Sequence, residues 1–517
     1  MAVSIGVIMV GLDGSIVMIA NPAIAADTHA SLMDLQWMTD AYLLAVASLL
    51  LFGGKLCDRL GRRLMFFLGV AGFAATSVGI GLIGTVDATI TLRALQGVFG
   101  ALLLPSTLAI LRSTFPADRL NSALGVWGAA SGLATAIGPI VGALIVEHLS
   151  WPWIFYINAP LAVLALLIAA LATAESRSQR IERLDKPGTI VLCAGLFLTV
   201  FGLIKAQNWG WLTAKTLSFT VAGAFLIAVF VLIELRTSEP LLPLRLFTNR
   251  TLSIGTAVAL INVFALIGAA FYVTLFFINV QDLTPIEAGV RVLPISAAIM
   301  VAAPLSGLVT NKFGPRPGMV VGLAAVAAAL YLLSFLRPES SYLMEWPAFL
   351  LLGAGVGFAT TASSDAIVGN AGVDDAGIVS GLQAAARQIG AVFAVSVLGS
   401  VLSSRVSSEL VGDLVAAGTT QTFAARLAKA KDLVAEGVSL IPTDAPTELA
   451  QEVIHGSHSA FISGLQAAMI LSAIVAVVGA GLALLAKRAE DSGSTEQDSA
   501  KHELRPDDQS IAAAGER

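Results

Sequence analysis

An aspartate at position 13 interrupts an apolar run that also holds Gly11, Gly14 and Asn21, and an arginine at position 93 interrupts another, with Gln96 one helical turn further on. A single carboxyl group among apolar neighbours is suited to one reaction, the uptake and release of a proton. Desolvation disfavours its charged form and a nearby cation favours it, so a conformational change that alters either can load or unload one proton. Arg93 is the candidate cation for Asp13. The plainer alternative is that both residues only pin helices together, Asp13 as a protonated hydrogen bonder and Arg93 through carbonyl groups. Gln96 shares a helical face with Arg93 and is a candidate lining residue.

Other polar residues stand at depth in apolar runs. Gln383, Arg387 and Asp365 are candidate cavity residues, and Arg387 either closes a contact within the molecule or meets an anionic part of a substrate. Asp40 reads as interfacial, Asn158, Asn262 and Asn279 as hydrogen bonders between helices, and His455 and His458 as members of a solvated link. Glu287 lies at the rim of its run, which leaves that run without a carboxylate at depth. Cys57 and Cys193 are too few and too scattered for a disulfide scaffold or a metal site. The chain has neither a phosphate-loop pattern nor a His-Glu-x-x-His pattern, so ATP-driven pumping and metal-assisted hydrolysis lack their parts, and no cofactor is expected.

The elements that position these residues follow from composition. Of 517 residues, 56% are hydrophobic and 13% charged, and the mean hydropathy is +0.84, against about 25% charged residues in soluble domains. Apolar spans able to cross ~30 Å of hydrocarbon fall near 3–25, 38–56, 64–84, 87–112, 120–146, 151–173, 187–206, 214–234, 250–280, 287–311, 316–337, 342–369, 377–402 and 459–486. Strand alternation is absent, so the backbone must satisfy itself as helices. The expected class is an all-α polytopic membrane protein of about fourteen transmembrane helices. The bilayer is then the main partner, and a net charge of −5 offers no basic field for nucleic acid. Asp13 falls roughly ten residues into the first span, ~15 Å along it, where an ionisable group costs at least ~2.5–3.5 kcal/mol. That polar content also marks the first span as a working helix, not a cleaved signal.

Lysine and arginine concentrate in the links after even-numbered spans, among them Arg59, Arg62, Arg63, Arg112, Arg119, Arg177, Arg236, Lys312 and Arg316. The positive-inside rule places those links and both termini in the cytoplasm of a cell-membrane protein, and the long link 403–456 outside. Within that link, Asp413 to Leu440 has the composition of a surface helix. The polar tail 487–517 is expected to be disordered.

An internal repeat supplies the architecture. Gly54, Asp58, Arg59, Gly61 and Arg63 match Gly307, Asn311, Lys312, Gly314 and Arg316 at identical offsets. The chain divides into a six-helix half over 1–174, two inserted helices with their links over 175–249, and a second six-helix half over 250–486. Related halves with a site at their interface are the usual build of secondary transporters. Gly128, Gly132, Gly138, Pro139 and Gly142 form a small-residue spine in the fifth span, which permits close helix packing, with a proline that favours a kink.

The run from Gly54 through Lys55, Leu56, Cys57, Asp58, Arg59, Leu60, Gly61 and Arg62 to Arg63 resembles the cytoplasmic loop signature of the major facilitator superfamily. Four further stretches resemble its fourteen-helix drug:proton antiporters of the EmrB/QacA type. They are Leu12 to Val17 with Pro22, Arg93 with Gln96, Gly97 and Gly100, Gly128 to Gly142, and Trp151 with Trp153, Asn158 and Pro160. Met18, Asn21, Ala143 and Pro152 depart from the family pattern and leave the substrate unassigned. The resemblance implies a major facilitator fold and export of small hydrophobic molecules, such as drugs or antibiotics, driven by the proton gradient. It also implies that the Gly128–Gly142 stretch marks antiporters, and that Gly54, Asp58, Arg59, Gly61, Arg62 and Arg63 form a gate in which Asp58 holds the inner ends of the halves together. Arg62 and Arg63 also serve as positive-inside anchors. A monomer is expected. Rival functions on the same scaffold are export of a lipid or metabolite and monovalent-cation:proton antiport.

Overall fold

A computed structural model describes residues 1–114, 117–172, 185–237, 240–369, 376–439 and 446–486; the tail expected to be disordered lies outside the described residues. Every regular element among these residues is helical. The first half contains α1 (Ala2–Thr28), α2 (Leu32–Leu60), α3 (Arg62–Ile83), α4 (Val86–Thr114), α5 (Ala117–His148), the short α6 (Trp153–Tyr156) and α7 (Asn158–Ala172). The inserted pair is α8 (Lys186–Trp209) and α9 (Ala214–Arg236), followed by a 3₁₀ turn at Leu244–Thr248. The second half begins with α10 (Arg250–Asn279), α11 (Pro285–Phe313), α12 (Pro315–Leu333) and α13 (Tyr342–Val368). It closes with α14 (Ala376–Ala416), the small α15 (Gln421–Leu427) and α16 (Lys431–Ala435), and α17 (Thr447–Ala483).

Among the described residues, thirteen helices are long and apolar enough to cross a membrane. The 32-residue α5 supplies the fourteenth crossing; its described apolar segment is Ile137–His148. The helices continue past the spans read from hydropathy. α14 runs to Ala416 and α17 starts at Thr447, so His455 and His458 lie on a helix and not in a solvated link. The single surface helix expected between Asp413 and Leu440 is broken into α15, a 3₁₀ turn and α16, with Gly418 (φ 120°) and Gly437 (φ 88°) in left-handed turns that interrupt it.

Local chemistry sets the helix ends. Ser31 and Asp34 form a reciprocal capping box at the start of α2, and Thr284 and Glu287 form another at the start of α11, satisfying donors that a helix N-terminus leaves free. The repeat has a backbone basis at the opposite ends of the same helices. Gly61 (φ 125°) and Gly314 (φ 76°) each stop a helix in the left-handed region, and their N–H groups bond Cys57 O at 3.1 Å and Thr310 O at 2.8 Å. Side chains rarely adopt those angles, which accounts for glycine at both repeat positions.

The apolar core is shared unequally. Away from the termini, one continuous cluster joins Leu12, Ile16, Ile24, Leu35 and Trp151 of the first half to Phe264, Phe276, Leu398 and Phe461 of the second. Towards the termini it separates into a first-half cluster around Val46, Phe66 and Leu103 and second-half clusters around Val258, Leu323 and Val379. The buried clusters are therefore shared between the halves at one end and divided between them at the other, where α2 still packs along α14.

Candidate functional site

Asp13 sits on α1 between Met9, in the first-half cluster, and Leu12 and Ile16, in the shared cluster. It is 1% exposed, as is Arg93 of α4. Arg93 Nη1 donates to Asp13 Oδ2 at 2.5 Å and to Gln96 Oε1 at 2.6 Å, while its Nε donates to Met38 O of α2 at 3.0 Å. Gln96 Nε2 donates to Asp13 Oδ1 at 2.9 Å and to Ser77 Oγ of α3 at 2.7 Å. Asn158, at the start of α7, donates through Nδ2 to Ser77 Oγ at 3.2 Å and to Asp13 Oδ1 at 3.4 Å. The Tyr42 ring lies 4.3 Å from the guanidinium carbon, placing a π face against the cation. Five helices of one half thus converge on a single carboxylate.

Such a charge pair is stable away from water only when its remaining donors and acceptors are occupied, and the neighbours of Asp13 and Arg93 meet that condition. Removing the charge on Asp13 would leave Arg93 with a carbonyl, an amide oxygen and an aromatic face, a weaker set than a carboxylate. The arrangement can therefore store a difference between two protonation states as a difference in how firmly α1 is tied to α4.

The small residues of α5 position α1. A Cβ added at Gly142 would lie 3.2 Å from Ile16 Cα, and one added at Gly138 would overlap the Ser15 side chain. Pro139 O lies 3.0 Å from where a Cβ on Gly289 of α11 would stand, so the same stretch meets the other half. The surroundings of Gly128 and Gly132 lie outside the described residues, as does the side chain of Asp58.

The other sequence candidates are dispersed. Gly54 packs on Pro105, where an added Cβ would be 3.8 Å from Pro105 Cβ. Arg59 is exposed, Arg62 is partly buried, and Arg63 Nη2 donates to Ala170 O at 3.1 Å. Gln383 donates to Ser364 of α13. Asp365 and Arg387 are accessible, on α13 and α14. Asn262 Nδ2 donates to Thr360 Oγ1 at 2.8 Å, joining α10 to α13.

Asp40 corrects the sequence reading. It is not interfacial but fully buried, and neither carboxylate oxygen has a hydrogen-bond partner among the described residues. One turn away, Gln36 Nε2 reaches the hydroxyl of Tyr272 in α10 at 3.4 Å. The reason is tertiary: α2 packs on α14 and is shielded by the second half. Sequence reading also passed over Glu345, buried in α13, which pairs with Arg291 of α11 at 3.4 Å and accepts from Gln281 at 3.1 Å. An arginine and a glutamate inside neighbouring apolar spans were the available signal.

Comparison with known proteins decides the family. The Major Facilitator Superfamily model matches residues 3–395. The chain belongs to the Major Facilitator Superfamily. Within this superfamily it is 42% identical over 492 residues to the tetracenomycin C resistance and export protein of Streptomyces glaucescens, covering 95% of this chain and 91% of that one. It is 34% identical to a puromycin resistance protein of Streptomyces alboniger, with 78% and 81% covered. It is 30% identical to the multidrug efflux pump LfrA of Mycolicibacterium smegmatis, with 92% and 94% covered. Among solved structures, an inward-facing, occupied bacterial homolog of the human lysosomal transporter Spinster superposes with a TM-score of 0.60 at 18% identity, covering 94% of this chain and 95% of that one. That likeness shows the same overall fold, and with the family match it makes this a major facilitator architecture of about fourteen helices.

Proposed function

We propose that this superfamily member is a proton-coupled antiporter that exports small hydrophobic, drug-like molecules across the cell membrane. The observation that carries the reading is the buried Asp13–Arg93–Gln96 network, placed where the shared core gives way to the divided clusters. Relatives named for resistance to, or export of, tetracenomycin C, puromycin and multiple drugs support the substrate class.

With the termini in the cytoplasm, as the basic links indicate, the divided end faces the cytosol and admits substrate between the halves. Charged Asp13 ties α1 to α4 through Arg93. After the halves reorient, a proton from outside neutralises Asp13, the ion pair opens, and substrate leaves outward. Return to the inner face and loss of the proton restore the pair. Proton and substrate favour different orientations and so shift the populations, and the proton gradient supplies the free energy that makes the cycle run in one direction. No cofactor takes part, the driving partner is the proton gradient, and one chain in the bilayer suffices. Asp365, Gln383 and Arg387 line the inner approach, and Asp58 with its flanking glycines and arginines steadies the outward-facing orientation. Asp58→Asn should slow transport while substrate binding stays intact; an unchanged rate at saturating substrate removes Asp58 from the gate.

Everted membrane vesicles containing the protein test the whole reading. They should accumulate a panel of drug-like compounds when their interior is acidified and stop when a protonophore is added. Accumulation that ignores the gradient would contradict antiport.

A further inference from the structure

Asp40 of α2 is a buried carboxyl group that the Asp13 network leaves unused. It stands ~12 Å along the helix from Leu32, is fully buried, and neither oxygen has a hydrogen-bond donor among the described residues. What faces it comes from the second half. α2 and α14 run antiparallel in contact: a Cβ on Gly381 would stand 2.8 Å from the Leu51 side chain, and one on Gly399 would overlap Gln36 Nε2 and the Tyr272 hydroxyl. One turn from that second crossing, towards Leu60, α2 reaches Asp40 and α14 reaches Val395. The Val395 carbonyl accepts from the Tyr272 hydroxyl at 2.6 Å, and Ser396 Oγ donates to Val392 O at 2.8 Å. Gln36 Oε1 is likewise buried without a donor. Asp40 therefore lies in the contact between the halves, with apolar or occupied groups across from it.

Among the described residues, no cation answers this carboxyl group. Arg93 of α4 is taken up by Asp13, Gln96 and Met38 O, which also accounts for Asp13 of α1. Lys205 of α8 reaches Met33 Sδ at 3.2 Å, about two turns from Asp40, and Cys193 lies three turns further back along α8. On α14, Arg405 pairs with Glu409, and Arg387 is accessible, about two turns from Val395. Lys431, Asp432 and Glu436 of the α16 segment meet α2 only near its start, and Arg62 and Arg63 of α3 lie beyond its far end. From α10 the titratable neighbour is Tyr272 itself. The lysines and arginines outside the described residues fall in sequence between Leu111 and Val126, between Leu171 and Asp185, or after Ala486, in the basic links or the tail.

A carboxylate shut in here would have neither a donor nor a cation, whereas a neutral carboxyl group costs far less in the same place. We propose that Asp40 is the proton-binding residue of a gate between the halves: the contact of α2 with α14 and Tyr272 closes on the neutral form, and separation of the halves there hydrates and ionises it. The gate proton is taken from and returned to one solution, unlike the coupled proton of Asp13, which changes sides. That this solution is the outer one rests on the antiport reading and orientation given above. Acid outside then favours the closed, inward-facing arrangement.

The test reads the separation of the halves without substrate or gradient. It uses the purified full chain in lipid nanodiscs, with Cys57→Ala and Cys193→Ala. Spin labels at Asp87→Cys on α4 and Glu339→Cys before α13, both exposed positions, report the distance between the halves at this end. As pH rises from about 5 to about 9, the short-distance population should fall. With Asp40→Asn added it should stay short throughout, and the protonated-carboxyl infrared band at about pH 7 should weaken. If Asp40→Asn fails to fold, Asp40→Leu takes its place with the same expectations. A pH response that the Asp40 variant leaves in place, the absence of a response in the parent, or an unweakened band overturns the proposal. The readout is the same whichever face is outside, so its failure leaves the antiport reading standing, and failure of gradient-driven export leaves the gate proton standing.

Discussion

Arg93 and Asp13, 80 residues apart in sequence, meet at 2.5 Å with both side chains removed from solvent. Each is also held by Gln96, so the pair acts as a three-residue unit and not as an isolated ion pair. Leaving one buried charge without its partner costs roughly 3–5 kcal/mol. Arg93→Ala should therefore lower the melting temperature of the protein markedly, and Arg93→Ala combined with Asp13→Asn should recover part of the loss. Equal destabilisation by the single and double variants would show that the two side chains are not energetically coupled.

Gly142→Val should disturb the same unit from behind. The added side chain would meet the Ile16 backbone, where a Cβ alone stands 3.2 Å from Cα, and overpacking of this kind costs about 1–3 kcal/mol. Thermal unfolding of the purified variant reads the effect; a melting temperature equal to that of the wild type would mean that α1 and α5 can separate freely.

Glu436 predicts a pH dependence at the opposite end. It follows α16, its carbonyl accepts from Asn279 Nδ2 of α10 at 2.6 Å, and its buried carboxyl group lies near the start of α2. Burial, with Asp34 and Asp432 nearby, pushes the carboxyl from its ordinary 4.5 up to about 8, against an opposing hydrogen bond from the Leu32 N–H. A group whose packed-state value is raised favours the packed state fully below about pH 4.5 and loses that contribution as pH rises through about 8. Protection from hydrogen exchange over residues 431–438, taken relative to the intrinsic rise in rate with pH, should fall between those limits. Glu436→Gln should remove the dependence, and an identical profile in that variant would exclude Glu436 as its source.

Orientation has its own test. A cysteine at Thr422, exposed on α15, should react with an impermeant thiol reagent added outside intact cells. A cysteine at Ser492 in the tail should react only after permeabilisation. The opposite pattern would reverse the assignment of inner and outer faces.

The site was legible in sequence only where its residues were anomalous. Asp13 and Arg93 stand out because ionisable groups in apolar spans are rare, and Gln96 follows from helical spacing. Ser77, Tyr42 and Asn158 complete the shell, yet nothing in their own spans indicates which helices face one another. The repeat was legible because Gly61 and Gly314 obey a backbone requirement that local sequence expresses. Asp40 misled because hydropathy places it near a helix end while the covering second half is a tertiary fact.

The central claim is that Asp13 carries the coupled proton while Arg93 tunes it. The most direct measurement is proton release on substrate addition, together with gradient-driven transport, in proteoliposomes holding the wild type, Asp13→Asn or Arg93→Ala. The wild type should release protons and export. Asp13→Asn should do neither while still binding substrate, and Arg93→Ala should shift the pH optimum or stop turnover. Normal proton release and full gradient-driven export by Asp13→Asn would contradict the account and make Asp365 the next carboxylate to test.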